Sequence, residues 1–251
     1  MKTTKLLLLC WIITACSSDA VEDVSMVTDT AETDTTLATA LLDTEFVIDN
    51  VIACAASNEN PSVVSVFLYP REGATNIRYF ETETADEDKN DYDNYKELEL
   101  PLLDVFNGYL LKYEVMPSQE KWVIVSFDED GTTHLSNPIR LKQITKATEY
   151  LPQNVTVDNG SNMPTFTWQD GTFDDSVIYF HVVSDVEDEL LSGTYTFDRM
   201  FQYYKLDNVV LNITEETPPV LTSQTPYNFL LLAVSEDNWV NLFSDVAFSI
   251  E

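Results

Sequence analysis

Basic residues are scarce in this 251-residue chain, which has 13 Lys and Arg against 43 Asp and Glu and a formal net charge of −30. A chain this acidic repels phosphate backbones, so nucleic acid is excluded as a partner. Cysteine and histidine are also few, at 3 and 2 residues, too few for a zinc site or a disulfide framework. The hydrophobic fraction of 44% nevertheless excludes a wholly disordered chain.

Motifs for catalysis are missing as well. The sequence has no Gly-x-Ser-x-Gly, no His-Glu-x-x-His and no Gly-rich phosphate loop, and it contains only 6 glycines. His134 and His181 lie far apart in the sequence, and among 43 carboxylates no glycosidase-like pair can be picked out. We therefore predict a protein that is not an enzyme.

The sequence has no hydrophobic run long enough to span a membrane, and the apolar stretch near the N-terminus is short. Lys2 and Lys5 precede an apolar stretch over residues 6–13. A membrane-spanning helix needs about 20 apolar residues, whereas a stretch of this length is typical of a secretory signal. We predict a signal peptide over residues 1–15.

The four residues that follow this stretch, ITAC at positions 13–16, resemble the lipobox of bacterial lipoproteins. The resemblance implies cleavage after Ala15, lipid attachment at Cys16 and a lipid-anchored place in the bacterial outer membrane, facing the surface or the periplasm. Two or more acyl chains suffice for stable anchoring. Cys10 is the competing position, but Leu9 is too large for the small residue required before the lipidated cysteine. The plain alternative is an ordinary signal peptide with Cys16 incidental.

Residues 16–44 have the composition of a tether. Residues 17–44 hold seven acidic residues and seven threonines but no Lys, Arg, aromatic residue, Gly or Pro. One-signed charge with low hydrophobicity cannot form a core, so we predict a disordered, self-repelling segment. Its Ser-plus-acid beginning resembles that of surface-exported lipoproteins in gliding Gram-negative bacteria.

The rest of the chain has the pattern of an all-β protein. Short β-branched and aromatic runs, such as 63–69, 122–127, 177–183 and 229–234, alternate with turn residues. A boundary near 145–153 predicts two antiparallel β-sandwich modules of about 100 residues each, over 45–148 and 151–251. Shifting residues 122–135 by 107 positions superposes them on 229–242 with three identities, which favours two related modules.

The second module resembles a fibronectin type III domain. The run PTFTW at 164–168 looks like the second strand of that family with its core tryptophan, and Leu221, Thr225 and Tyr227 look like its tyrosine corner, with Ser223 in place of the corner proline. The resemblance implies a sandwich in which Tyr227 hydrogen-bonds back to the backbone. The first module lacks this corner, since Glu120 stands at the corresponding position.

One acidic loop follows a metal-binding pattern. Asp86, Asp88, Asn90 and Glu97 match the calcium-loop motif except that Asp91 stands where the motif has Gly. Oxygens at alternate positions and a glutamate twelve positions into the loop are the ligands that calcium prefers. The competing interpretation, which we favour, is a plain solvated loop in a chain rich in acids.

Two single residues invite a functional interpretation. Trp239, at the predicted turn over 235–239, is a candidate ligand contact at a sandwich tip, although a core position is the favoured alternative. Cys54 stands among alanines and aliphatic residues, which favours a small buried hydrophobic role over a reactive thiol.

The predicted function is non-enzymatic binding in the cell envelope. The main hypothesis is an accessory or structural module, anchored to the membrane by lipid, that docks to another envelope protein. The alternative is a glycan-binding surface lipoprotein that assists polysaccharide capture. An apolar patch or an open strand edge in the structure would favour docking, and aromatic residues clustered on one exposed face would favour glycan binding.

The lipid anchor can be tested at one residue. Replacing Cys16 with Ser should leave the precursor uncleaved and abolish acyl labelling, because the thiol that carries the lipid is lost. Metabolic labelling with a fatty-acid analogue measures this directly. Labelling that survives the substitution would contradict lipidation at Cys16.

Overall fold

The computed structural model describes residues 31–251 except 59, 61, 206–208 and 215–216. Cys16 and the predicted signal peptide lie outside the described residues. The described part contains twenty strands, one short α-helix and two 3-10 turns, so the all-β prediction is confirmed. No helix in that part is long and apolar enough to cross a membrane.

The strands up to residue 140 form two sheets. A seven-stranded sheet has the order β1-β6-β5-β9-β10-β2, with β11 also paired to β9, and a four-stranded sheet has the order β3-β4-β8-β7. All pairs are antiparallel except β2 with β10. The bounds are β1 Ala31–Thr36, β2 Glu45–Val51, β3 Ala53–Ser57, β4 Val64–Leu68, β5 Thr75–Glu81, β6 Lys96–Glu99, β7 Leu103–Val105, β8 Leu110–Val115, β9 Trp122–Glu129, β10 Thr132–Ser136 and β11 Ile139–Arg140.

The strands from residue 149 onward form a second pair of sheets. A six-stranded sheet has the order β12-β20-β19-β15-β16-β18, and a three-stranded sheet has the order β13-β14-β17. This pair of sheets also contains one parallel pairing, between the short strand β12 and the last strand β20. The bounds are β12 Glu149–Tyr150, β13 Val155–Asp158, β14 Thr165–Trp168, β15 Ser176–Ser184, β16 Leu190–Thr196, β17 Met200–Gln202, β18 Val209–Asn212, β19 Tyr227–Ser235 and β20 Val240–Phe248.

The second module has the core that the fibronectin type III resemblance implies. Trp168 packs beside Tyr179 and Phe229, with ring centroids 5.4 and 6.2 Å away. The Tyr227 hydroxyl accepts a hydrogen bond of 2.9 Å from the Thr222 N–H, which is the tyrosine corner. The fibronectin type III-like sandwich is therefore confirmed, even without the corner proline.

The weak internal repeat in the sequence relates the β9–β10 hairpin to the β19–β20 hairpin. A shift of 107 residues carries the cross-strand pair Leu135–Ser126 of β10 and β9 onto the pair Leu242–Ala233 of β20 and β19, and both pairs exist in the structure. The registers diverge next to this pair, where β19 and β20 shift register. In the first hairpin, Asp130 and Gly131 have φ of 51° and 83°, the left-handed values of a tight two-residue turn.

Ordered structure begins before residue 45, where the sequence analysis predicted a tether. The helix α1 covers Leu37–Ala40 and is capped by the Thr36 side chain, which accepts from the Thr39 N–H. Leu37 and Leu41 are buried against Phe80 and Trp122 on the outer face of the seven-stranded sheet. The sequence analysis missed this contact because two leucines four positions apart span only one helical turn, too short a pattern to stand out in an acidic, threonine-rich segment.

The two modules pack face to face. The hydrophobic clusters place the sheets in the order seven-stranded, four-stranded, six-stranded, three-stranded. On β15, Tyr179 and Val183 point into the core of the second module, whereas Phe180 and Val182 point out of it and pack on the first. Both faces of the strand are therefore buried.

A turn of the second module completes the core of the first. Trp239 is fully buried in the cluster formed by the seven-stranded and four-stranded sheets. Its backbone forms a parallel β-bridge with Ala55, and the Ala55 N–H donates to the Asn238 carbonyl at 3.0 Å. Because the two sandwiches share this core, we expect them to unfold together. Whether the modules over 45–148 and 151–251 can also fold separately stays a prediction.

Truncating this tryptophan tests the shared core. Trp239→Ala should lower the free energy of unfolding by about 3–5 kcal/mol because it leaves a large cavity in the first module. Chemical denaturation followed by both near- and far-ultraviolet circular dichroism should show one transition that moves as a whole.

The matched control is Phe197→Ala, an aromatic side chain that is 64% exposed. This control should change stability by no more than about 0.5 kcal/mol. A loss confined to a first, separate transition would show that the modules fold independently.

Candidate functional site

Trp239 is not a ligand contact. Its side chain has no exposed surface, and its indole N–H donates to the Lys146 carbonyl at 2.7 Å. The candidate ligand role is therefore wrong and the core alternative is correct, although the core belongs to the other module. Turn residues before an aromatic residue do not indicate which part of the protein will bury that aromatic side chain.

The predicted binding tip around Trp239 is likewise not a free surface. Lys142 pairs with the Asp237 carboxylate at 2.5 Å, and the Arg140 N–H donates to the Asp237 carbonyl at 3.0 Å. The Asn238 side chain reaches the Pro138 carbonyl at 3.3 Å. These contacts hold the turn against the first module.

A cleft of about 960 Å³ lies between the modules, beside this turn. Its walls combine several segments of the first module, including residues 49–54 and 69–72, with strands and loops of the second module. Ligand sites in proteins are commonly of this size and commonly lie between domains. The lining residues are Asp49, Asn50, Val51, Ile52, Cys54, Tyr69, Arg71, Glu72, Tyr109, Glu129, Asn137, Ile178, Tyr195, Asn212, Ile213, Val234 and Asn238.

One part of the cleft wall is aromatic. Tyr69 and Tyr109 stack with ring centroids 5.8 Å apart and an interplanar angle of 19°. The Tyr109 hydroxyl donates to the Ile213 carbonyl at 2.7 Å, which fixes that ring across the junction. Tyr195 stacks on Phe180, with centroids 4.6 Å apart. The tyrosine rings are thus held in place before any ligand arrives.

Another part of the wall is a polar network around Arg71. Its guanidinium donates to the Asn50 side-chain oxygen at 2.8 Å and pairs with Glu129 at 2.8 Å. His134 contacts the same two partners through its ring nitrogens, at 2.9 Å and 3.6 Å. The guanidinium also lies over the Phe127 ring, 5.1 Å from its centroid. This network neutralises the Glu129 carboxylate at the end of β9.

The strand β2 forms an open apolar edge. It is the last strand of its sheet, paired on one side with β10. Phe46, Val47 and Ile48 are 43%, 39% and 56% exposed, so side chains on both faces of the strand meet solvent. Leu42, just before the strand, is 68% exposed. We call Leu42 and β2 together the apolar edge.

Acidic residues surround this apolar edge. Asp43, Glu45 and Asp49 lie in or beside β2, and all three are exposed. Glu45 faces Thr132 on β10, which in turn faces Glu129 on β9. The sequence signal was the run FVI at 46–48, which is not alternating and so indicates a strand without a single buried face.

The calcium-motif residues are not gathered around one point. Glu97 lies in β6 and binds Arg78 at 2.9 Å, while the Asp88 carboxylate accepts the Asn90 N–H at 2.9 Å. Asp86 is exposed. Among the described residues no group of three or more His, Cys, Asp or Glu could hold a metal ion. Calcium binding at this loop stays a prediction without an assembled ligand set.

Two further side chains of interest have structural roles. His181 is buried among Trp168, Phe201 and Phe229 and hydrogen-bonds to the Thr194 hydroxyl at 2.8 Å. Burial lowers the pKa of His181 to about 3. Burial raises the pKa of the Cys54 thiol, in the cleft wall, to about 12, so that thiol is protonated at neutral pH.

Comparisons with known proteins give no family assignment. No protein-family model matches the chain, and no curated protein matches it in sequence. Among solved structures, the FN1–FN3 domains of chicken CNTN1 are 14% identical, with 83% of this chain and 68% of that chain covered and a TM-score of 0.29. The BSP domain of a biofilm associated protein is 14% identical, with 80% and 29% covered and a TM-score of 0.28. The chicken interferon gamma receptor alpha chain is 10% identical, with 81% and 99% covered and a TM-score of 0.27.

The buried histidine predicts a pH-dependent stability. Folding lowers the pKa of His181. The free energy of unfolding is therefore unaffected by His181 above the ordinary pKa of 6.5, and it decreases as the pH falls from there toward 3. Between pH 7 and pH 5 this costs about 2 kcal/mol. His181→Gln should remove that part of the drop in urea unfolding experiments, and His134→Gln should retain it. An unchanged pH slope in His181→Gln would contradict the assignment.

Proposed function

We propose that this protein is a non-catalytic, lipid-anchored envelope protein that docks another envelope protein along its apolar edge. The observation that carries the docking role is the exposure of Phe46, Val47 and Ile48 on an edge strand that is paired on one side only. The lipobox resemblance at residues 13–16 supports the anchor. The non-catalytic character is supported by the histidines, since His181 is buried against Thr194 and His134 is held between Asn50 and Glu129.

The backbone of β2 favours an extended partner. An edge strand presents N–H and C=O groups that a further strand can pair with. Strand addition of this kind obtains affinity from main-chain hydrogen bonds and specificity from alternate side chains. Asp49, with φ of 61°, interrupts the regular strand, so the pairing segment is the stretch before it, residues 45–48.

The side chains of the apolar edge define the chemistry of the partner. Two apolar residues, Phe46 and Ile48, share one face of the strand, and Val47 lies on the other. Glu45 and Asp49 flank these three side chains. Charge complementarity therefore favours a partner strand with β-branched residues in the middle and Lys or Arg at its ends.

A synthetic peptide can take the place of the partner strand in a test of this proposal. The probe is an extended nine-residue peptide of alternating Val and Thr with Lys at both ends. We expect it to bind the full chain in fluorescence anisotropy, more weakly at high salt. A peptide of the same sequence with alternate backbone amides methylated should not bind, because it cannot complete the strand pairing.

Matched variants locate the interaction. Phe46→Thr combined with Ile48→Thr keeps the strand propensity and the charge but removes the apolar contacts, and should weaken binding by about tenfold or more. The control combines Val177→Thr and Val186→Thr, which are 49% and 63% exposed on the second module. Equal affinity for both double variants would overturn the proposal. Sedimentation that shows dimers formed through β2 would do so as well, because the occupant would then be a second copy.

A further inference from the structure

The cleft between the modules is a second candidate site beside the apolar edge, whose strand β2 contributes Asp49, Asn50 and Val51 to its wall. We propose that it binds a neutral, hydroxyl-rich ligand with an apolar face, of which a segment of an uncharged oligosaccharide is the representative class. The cavity is large enough for several sugar rings, and both modules contribute to its walls.

The aromatic wall supplies a surface for the apolar face of such a ligand. Tyr69 and Tyr109 are stacked on each other, and Tyr109 is tied to the Ile213 carbonyl across the junction. Because these contacts fix the rings, little side-chain freedom is lost on binding. A tyrosine ring also combines an apolar surface with a polar end that tolerates water.

The polar wall favours hydroxyl groups over charged groups. Asn50, Asn137 and Asn238 line the cleft. The Asn50 oxygen accepts from Arg71, and one N–H of Asn137 and one of Asn238 donate to Asp49 and to the Pro138 carbonyl. The other donors and acceptors of these amides are the groups that a hydroxyl requires. Of the acidic residues in the wall, Glu129 is paired with Arg71, and Asp49 accepts from the Asn137 amide.

The remaining charge excludes anionic ligands. The lining residues include Asp49, Glu72 and Glu129 against Arg71, so the wall carries a formal charge of −2 within a chain of −30. An anionic ligand is repelled by both. A cation lacks a cluster of unpaired carboxylates to bind it, since Arg71 and Asn137 already contact two of the three. A neutral ligand remains.

The test uses the full chain and uncharged oligosaccharides of six sugar units, with several linkages, in isothermal titration calorimetry. We expect at least one linkage to bind with a dissociation constant of about 1 mM or tighter. An oligogalacturonate of the same length and a diamine of similar length are the charged comparisons, and neither should compete. No binding by any neutral oligosaccharide, or a preference for either charged probe, would overturn the inference.

Variants of one tyrosine assign the binding to the cleft. Tyr69→Ala should weaken binding by about tenfold or more, whereas Tyr69→Phe should retain it because the ring is preserved. The control is Tyr150→Ala, which removes a tyrosine that is 55% exposed outside the cleft and stacked on Phe243. Binding that is unaffected by Tyr69→Ala would place the ligand elsewhere. The Phe46→Thr and Ile48→Thr double variant should bind the oligosaccharide normally, which separates this site from the apolar edge.

Discussion

The rest of the structure depends on the burial of the outer face of the six-stranded sheet. Phe180, Val182 and Leu232 would be solvent-exposed in an isolated sandwich, and here they pack on the four-stranded sheet of the first module. Each fully buried side chain of this size contributes about 1.5–3 kcal/mol. The turn that carries Trp239 then enters the first core, so the two sandwiches share side chains as well as a surface.

This packing also determines where binding can occur. Because the modules meet face to face through a hydrophobic contact, their relative motion is more restricted than that of domains on a linker, and a cleft lies beside this contact. The same packing buries Ser235 and Trp239 at the two ends of the turn, while Glu236 stays exposed. The cleft lies open beside this contact, and the strand β2 contributes Asp49 and Asn50 to its wall and Phe46 and Ile48 to the outside.

Sequence features within one strand or turn were predictable, and contacts between modules were not. The corner at Tyr227 and the hairpin at Asp130 follow from local residue types, because turn geometry is set by a few neighbouring residues. Trp239 has no such local determinant. The run at 177–183, in which His181 alone interrupts apolar residues, did contain the missing information, since an antiparallel strand with one solvent-exposed face should alternate. The leucines of α1 were overlooked because their surroundings have the composition of a tether.

The excess of acidic residues opposes pairing between two copies of this exposed apolar strand. An edge strand with Phe46, Val47 and Ile48 in solvent is a template for self-pairing. If two copies paired through β2, Glu45 and Asp49 of each would lie within about 10 Å of their counterparts, where physiological salt screens only in part. A net charge of −30 on each copy adds to this repulsion. The same charges attract a basic segment, so the feature that opposes self-association also favours the partner that we propose.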